Sequence, residues 1–302
     1  MKKARVRVPA STANLGPGFD VLGLALKLHN VIEVEEAQEG FELRVEGEGK
    51  EALENQGPRN LACRAAQAAF EHLGYRPKGL RFRLENRIPL KRGLGSSGTA
   101  VLGGIAGVAK IAGAELSPEE ILNLAVKFEG HPDNVTPSLI GGFTASALVE
   151  GKVLYARLPF PEALKAVAVI PNLEIPTKRA REALPEQVPL KDAVFNLSRL
   201  ALMMAGLLTD RLDLLAEGTK DRLHQPYRAA LLPGMLEVME EGLKAGALAC
   251  FLSGAGSTIM AFVKGDGEEV NSRMQRLWRE GFGIASRSLI LEMDGEGLVY
   301  LE

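Results

Sequence analysis

Two cysteines, Cys63 and Cys250, are all that the 302 residues contain. They lie far apart and show no metal-ligand spacing. That excludes a disulfide scaffold and a short-spacing zinc site, and it points to two buried thiols in a reducing, cytoplasmic setting. Charge imbalance is also missing. With 36 Lys and Arg against 38 Asp and Glu, the net charge is −2, so no whole-molecule field draws the chain to nucleic acid. No basic run interleaved with aromatics supplies a local one. No apolar run reaches the roughly 18 residues that read as a membrane span. The basic stretch MKKARVRVP has no apolar segment behind it to form a signal peptide. Internal repeats and low-complexity segments are absent too. What is left is an ordinary balance, 46% hydrophobic and 25% charged, in a chain long enough for a large core and one or two domains.

What is present centres on residues 88–104, IPLKRGLGSSGTAVLGG. Gly93 to Gly98 form a glycine-rich turn entering an Ala/Val/Leu helix. The first amides of such a helix have no intrahelical partner and lie at the positive end of its dipole. Such a loop holds phosphate on its backbone, or else it is a tight strand-to-helix turn that needs small residues for packing. It fits neither the Gly-x-x-x-x-Gly-Lys-Ser/Thr phosphate loop nor the Gly-x-Gly-x-x-Gly dinucleotide fingerprint.

Residues 9–20, PASTANLGPGFD, combine turn chemistry with the short polar side chains of Ser11, Thr12, Asn14 and Asp20. They read as a binding loop or as an elaborate connector. Alternation predicts paired strands over 29–36 and 41–45, and His29 reads as a satisfied sheet residue. Asn60 is placed to cap a helix over 61–73 that Gly74 ends, or to touch a ligand. Ser117-Pro118-Glu119-Glu120 is a capping box for the next helix. That helix runs into Glu129-Gly130-His131-Pro132-Asp133-Asn134, where four side chains suited to metal or substrate lie within six residues. A carboxylate at a helix C-terminus opposes the dipole, so Glu129 has a cation nearby or faces water. Glu150-Gly151 reads as a hairpin turn. The texture changes at Leu158-Pro159-Phe160-Pro161, which divides the chain into expected domains 1–158 and 159–302. Beyond it, Thr177 reads as an N-cap, 191–208 as a long amphipathic helix of the core, and Ser253 to Thr258 as a hairpin turn or a second close-approach site. Strands and helices follow no regular β-α-β-α order, which predicts α+β with layered sheets and packed helices.

Three separated stretches resemble the three motifs of the GHMP kinases, in the right order: PASTANLGPGFD at 9–20, PLKRGLGSSGTA at 89–100 and LSGAGST at 252–258. The STANLGPGFD form, EGHPDN at 129–134, TKRAR at 177–181 and HQPYR at 224–228 are similar to the homoserine kinase family in particular. The match spans nearly the whole chain. Two departures stand out: Ser257 occupies a position where proline is common, and only Gly130 separates Glu129 from the HPDN turn.

The resemblance implies the two-domain GHMP kinase fold, α+β with mixed sheets and packed helices. It implies ATP on the central loop, contacted by Pro89, Leu90, Lys91, Arg92, Gly93, Leu94, Gly95, Ser96, Ser97, Gly98 and Thr99, with Asn60 near the base. Mg²⁺ would be held by Ser97 and Glu129. L-homoserine would lie among Asn14, Asp20, His131, Asn134, Thr177, Arg181 and Arg228, with Asn14, Asn134 and Arg181 catalytic. A homodimer follows by analogy alone. No nucleic-acid or membrane partner is expected.

The residue chemistry accords with such a substrate. A zwitterion with a free hydroxyl needs a cation for its carboxylate, and Arg181 and Arg228 offer bidentate ones. It needs an anion for its ammonium, and Asp20 is one. Without the resemblance, each arginine reads as a surface ion pair. Phosphoryl transfer needs mainly alignment and charge neutralisation. No compelling general base is visible, Asp133 and Asp20 being nominal candidates. Three rivals remain. A GHMP kinase for mevalonate, a sugar or an isoprenoid alcohol leaves Asp20 and the arginines unexplained. A non-catalytic regulator of the same fold leaves the intact loop, Ser97 and Glu129 unexplained. An ATP-using decarboxylase would release CO₂.

Overall fold

A computed structural model describes residues 2–302. The first sheet has seven strands: β1 (Lys3–Ala13), β2 (Leu22–Ala37), β3 (Gly40–Gly47), β4 (Gly79–Asn86), β5 (Phe143–Val149), β6 (Lys152–Leu158) and β11 (Val299–Leu301). Its order is β11-β1-β2-β4-β3, with β5 joined to the other end of β2 and β6 to β5. The second sheet is antiparallel, in the order β10-β7-β9-β8, from β7 (Leu164–Pro171), β8 (Ala249–Leu252), β9 (Ile259–Lys264) and β10 (Ser286–Leu291).

Alternation marked residues 29–36 and 41–45 as strands, but it misassigned their pairing. Strand β4 lies between β2 and β3, antiparallel to β2 and parallel to β3. Parallel neighbours need a crossover connection. Residues 48–78 supply it, carrying α1 (Lys50–Glu54) and α2 (Leu61–Leu73). Strand β1 is longer than its alternating part: it continues through Ala13, inside the polar stretch, after a register shift between Pro9 and Ala10. Proline lacks the amide that a regular ladder uses, so it suits such an irregularity.

Helix α3 (Ser96–Ala112) is almost wholly buried. A Cβ at Gly103 would lie 2.6 Å from the Ile32 side chain, and one at Gly104 2.3 Å from the Ala62 carbonyl oxygen. The small residues let α3 lie directly against β2 on one side and α2 on the other. Helix α4 (Pro118–Glu129) opens with the predicted capping box, both hydrogen bonds formed, and α5 (Val135–Ile140) follows the HPDN turn.

The second half adds α6 (Thr177–Glu182), α7 (Leu190–Leu208), α8 (Leu215–Gly218), α9 (Gln225–Arg228), α10 (Met235–Lys244) and α11 (Glu268–Phe282). Two expectations fail here. Pro176, not Thr177, stands at the N-cap of α6, with no side-chain cap bond. Helix α7 is not a core helix throughout: Leu190, Val194 and Leu197 are 79%, 55% and 67% exposed, and only its later part buries Met203 and Leu207.

One apolar cluster joins Leu22, Leu24 and Leu26 of the first sheet to Ala166, Met260 and Phe262 of the second and to Met203. The halves therefore share a core. The chain also crosses back, since β11 pairs with β1 and Asp294 accepts from His29 at 2.7 Å. The stretch 159–302 thus returns its last strand to the first sheet. Both cysteines are free and buried, and burial pushes the Cys63 thiol up to about 12. Among the described residues no helix is long and apolar enough to cross a membrane.

Candidate active site

The three motif stretches interlock. Ser253 Oγ donates to the Gly93 carbonyl at 2.6 Å and accepts from Thr12 Oγ1 at 2.8 Å. Thr258 N donates to the Arg92 carbonyl, Ser11 N to that of Leu94, and Gly254 N to that of Ala13. A Cβ on Gly93 would lie 2.0 Å from the Ser253 carbonyl oxygen, and one on Gly95 2.2 Å from Ser11 Oγ. Glycine stands at both because other backbone occupies the space, and both have φ above +70°. The Ser253–Thr258 segment is the predicted hairpin turn between β8 and β9, and it is also the back wall of the loop.

Gly95 is the N-cap of α3 and supplies no side-chain bond. The first intrahelical bond of α3 runs from Thr99 N to the Gly95 carbonyl, so the amides of Ser96, Ser97 and Gly98 stay open. Those of Ser96 and Ser97 end in a cleft of about 310 Å³. Asn60 and every residue from Pro89 to Ser97 line it. Apolar wall comes from Ile32, Leu53, Leu61, Leu84 and Leu90, and polar wall from Ser96, Ser97, Glu129, His131, Asn134 and Thr177.

Several expected nucleotide contacts do something else as well. Asn60 caps α2, its Oδ1 accepting from Ala62 N at 3.0 Å. Gly98 and Thr99 are buried and do not line the cleft. Thr99 Oγ1 accepts from Asn30 Nδ2 at 2.8 Å and donates to the Ser96 carbonyl. Lys91 and Arg92 are not free cations: both face Glu174, at 3.1 and 3.6 Å.

Ser97 Oγ donates to Glu129 Oε2 at 2.9 Å. This joins the start of α3 to the end of α4. Burial raises the Glu129 pKa, opposed by the Ser97 hydrogen bond and the nearby His131.

Beyond His131 and Asn134 lies a charged group whose Asp20, Asp133 and Arg181 do not themselves line the cleft. Arg181 reaches Asp20 through two parallel hydrogen bonds, at 2.8 and 3.0 Å. The His131 ring hydrogen-bonds Asp133 through Nδ1. Ligand atoms of Asp20, His131 and Asp133 lie within 4.8 Å of one another. Burial works against charging His131, but the Asp133 contact outweighs it and the pKa is raised. Asn134 accepts from Ser11 Oγ at 3.1 Å and donates to Asp133. His131 and Asn134 thus belong both to the cleft wall and to this group.

Two expected substrate contacts are buried. The Asn14 side chain is buried, donating to the Gly254 carbonyl at 3.0 Å and accepting from Asp20 N at 3.0 Å. It braces the Asp20 turn against the third motif. Arg228 is 2% exposed and donates to the carbonyls of Ala180 and Gly254. Burial, with Arg181 nearby, lowers its pKa to about 10, so it stays charged at neutral pH.

Sequence reasoning missed three contributors. Asn30 takes Arg87 N and Ile88 N on its Oδ1, which fixes the entry to the loop. Phe19 lies under both Arg181 and Arg228, at 5.6 and 5.2 Å. Glu174 pairs with both loop cations. A polar residue inside an apolar run marked Asn30, and its place in the first motif marked Phe19. Glu174 carried no signal.

Comparison with known proteins agrees with this architecture. The family described as GHMP kinases N terminal domain matches residues 60–142, and GHMP kinases C terminal matches 203–280. The chain is 45% identical to a homoserine kinase of Caldanaerobacter subterraneus subsp. tengcongensis over 299 residues, covering 99% of this chain and 95% of that protein. It is 46% identical to one from Moorella thermoacetica over 269 residues, 89% of this chain and 90% of that one. Its structure is similar to the crystal structure of homoserine kinase from Cytophaga hutchinsonii, with a TM-score of 0.84 at 28% identity, covering 100% of this chain and 98% of the other.

Proposed function

Because the chain belongs to the homoserine kinases of the GHMP kinase family, we propose how its own residues perform that chemistry. The reaction transfers the γ-phosphoryl group of ATP to the side-chain hydroxyl of L-homoserine, giving O-phospho-L-homoserine and ADP in threonine biosynthesis.

The open amides of Ser96 and Ser97, at the positive end of α3, take the ATP phosphates. The apolar wall and Asn60 take the base. A hydroxyl and a carboxylate 2.9 Å apart are hard oxygen donors of the kind Mg²⁺ prefers. Among the described residues Glu129 has no Lys or Arg partner. Ser97 and Glu129 therefore fit Mg²⁺, which when bound neutralises phosphate charge.

Asp20 and Arg181 take the substrate ammonium and carboxylate, with Arg228 supplying a second, buried cation. Asn134 and His131 orient the hydroxyl, and Thr177 contributes at the cleft edge. Asn14 acts by holding the Asp20 turn. Asp133 is engaged by His131 and Asn134, so alignment and neutralised charge carry the transfer without a dedicated base. The observation that carries this reading is the pairing of Asp20 with Arg181, a complement to a zwitterion, next to an uncapped helix N-terminus.

The test is ADP release with Mg-ATP and a panel of L-homoserine, D-homoserine, L-serine, L-threonine, mevalonate and galactose. Strong turnover of L-homoserine alone is expected. Turnover of mevalonate or galactose would overturn the acceptor site. ATP binding without turnover would favour a regulator.

Two further parts belong to the proposal. Residues 1–158 carry nucleotide binding, and 159–302 close the substrate site. The enzyme works as a cytoplasmic homodimer. The buried thiols support the compartment, and the exposed stripe on α7 supports the dimer. Leu190, Val194, Leu197, Ala201 and Leu208 are exposed, and Met204, half-buried against the core, adjoins them; the six are spaced symmetrically about Arg199, so two antiparallel copies of α7 would match them pairwise.

A further inference from the structure

The buried guanidinium of Arg228 is held by a histidine to which the acceptor site described above gives no role. Arg228 Nη1 lies 3.2 Å from His224 Nδ1 and 3.0 Å from the Gly254 carbonyl oxygen. The His224 side chain is fully buried, and its other nitrogen, Nε2, lies 2.8 Å from the Gly16 carbonyl oxygen. A carbonyl only accepts and a guanidinium only donates. The ring must therefore present a proton at Nε2 and a lone pair at Nδ1. The neutral Nε2–H tautomer satisfies both neighbours. An imidazolium would set Nδ1–H against Nη1–H.

The ring has little freedom to turn away. Phe19 stacks on it at a centroid distance of 5.1 Å. Its backbone amide donates to Asp221, which also accepts from Leu223 N, Gln225 N and Asn196 Nδ2. Asp221 Oδ2 lies 3.6 Å from Nε2. Among charged neighbours, Asp221 and Asp20 favour a charged ring. Burial and Arg228 oppose it, and the net direction is a lowered pKa. Phe19, which clamps the ring, also carries Arg181 and Arg228 on its faces.

We infer that His224 is a positioning residue for homoserine: its neutral ring joins Arg228 to the Gly16 turn and sets where the buried cation meets the substrate carboxylate. This rests on the reading of Arg228 as part of the acceptor site. It adds a role that neither the phosphate loop nor the Asp20–Arg181 pair supplies.

Two variants separate the ring's contacts. His224→Asn puts an amide oxygen near the place of Nδ1 and keeps an acceptor for Arg228. His224→Gln puts its amide near the place of Nε2, keeping a donor for Gly16 and removing that acceptor. Loss of a hydrogen bond to a charged group is worth about tenfold or more. His224→Gln is therefore expected to raise the KM for L-homoserine about tenfold while the KM for ATP stays within roughly twofold. His224→Asn should restore most of the difference. Equal effects of both variants, or an ATP KM that rises in step, would overturn the inference and leave a structural role. Arg228→Lys is the companion measurement. If it leaves the homoserine KM unchanged, the reading of Arg228 fails, and the His224 inference with it. In the unsubstituted enzyme, ¹⁵N NMR of histidine-labelled protein, which has four histidines, should show His224 as the Nε2–H tautomer at neutral pH. A charged ring or the Nδ1–H tautomer there would also overturn the inference.

Discussion

Asp20 and Arg181, 161 positions apart, face each other through two parallel hydrogen bonds of 2.8 and 3.0 Å. Each holds the charge that the other would lose to a zwitterionic substrate. Their side chains are 33% and 39% exposed, so the pair itself contributes only about 0–1 kcal/mol. It opens at little cost when ammonium and carboxylate take its place.

Asp20→Asn and Arg181→Lys should each raise the KM for L-homoserine by roughly 10- to 100-fold, the weight of a charged hydrogen bond, with the ATP KM little changed. Lysine keeps the charge but lacks the two-point fork. Steady-state kinetics with each substrate varied checks this. A parallel rise in ATP KM would remove the pair from the acceptor site.

Glu129 sets function against stability. Its folded pKa is raised by burial. Between the ordinary carboxylate value and the raised one, the folded state binds more protons than the unfolded state, so stability falls as pH rises through that window. At neutral pH, without Mg²⁺, Glu129→Gln should therefore melt higher, by roughly 2–4 °C per kcal/mol recovered. The same variant should need about tenfold more Mg²⁺ for half-maximal activity. Melting in chelator and Mg²⁺ titration of turnover test the two halves separately. An unchanged Mg²⁺ requirement would exclude Glu129 as a ligand.

Asp133→Asn distinguishes alignment from base catalysis. If Asp133 only holds His131 and Asn134, kcat should fall by no more than about tenfold, whereas general-base loss is expected to cost about 10²–10⁴. Turnover together with binding of both substrates decides it. A fall of the larger size with binding intact would make Asp133 the base.

Leu197 lies at 67% exposure near the middle of the α7 stripe. Leu197→Glu should turn a dimer into a monomer in light scattering, with little change in melting of the separated chain. A dimer that persists would move the interface elsewhere. Surface apolar patches of this continuity on a monomer mark contact sites.

Features fixed within a few residues were legible without the fold. Asn60 and Gly74 bound their helix, the capping box at Ser117 forms, and Glu150 and Gly151, with φ of 49° and 78°, make the hairpin turn. The convergence of Ser97 with Glu129, and of Asp20 with Arg181, came from resemblance. Periodicity alone placed none of these pairs.

The sequence by itself determined the helix ends, the turns, the glycine-rich loop and the types of charge near the site, because each depends on backbone geometry and capping bonds over one or two turns. Tertiary structure alone decided that β4 separates β2 from β3 and that β11 returns to β1. It alone decided that Glu174 occupies Lys91 and Arg92, that Asn14 is a brace, and that Arg228 is sheathed by His224 and Phe19. Strand partners are chosen by which faces bury together, and the partners of a long charged side chain by what the packed core brings within about 3 Å of it. Neither leaves a local mark in the chain.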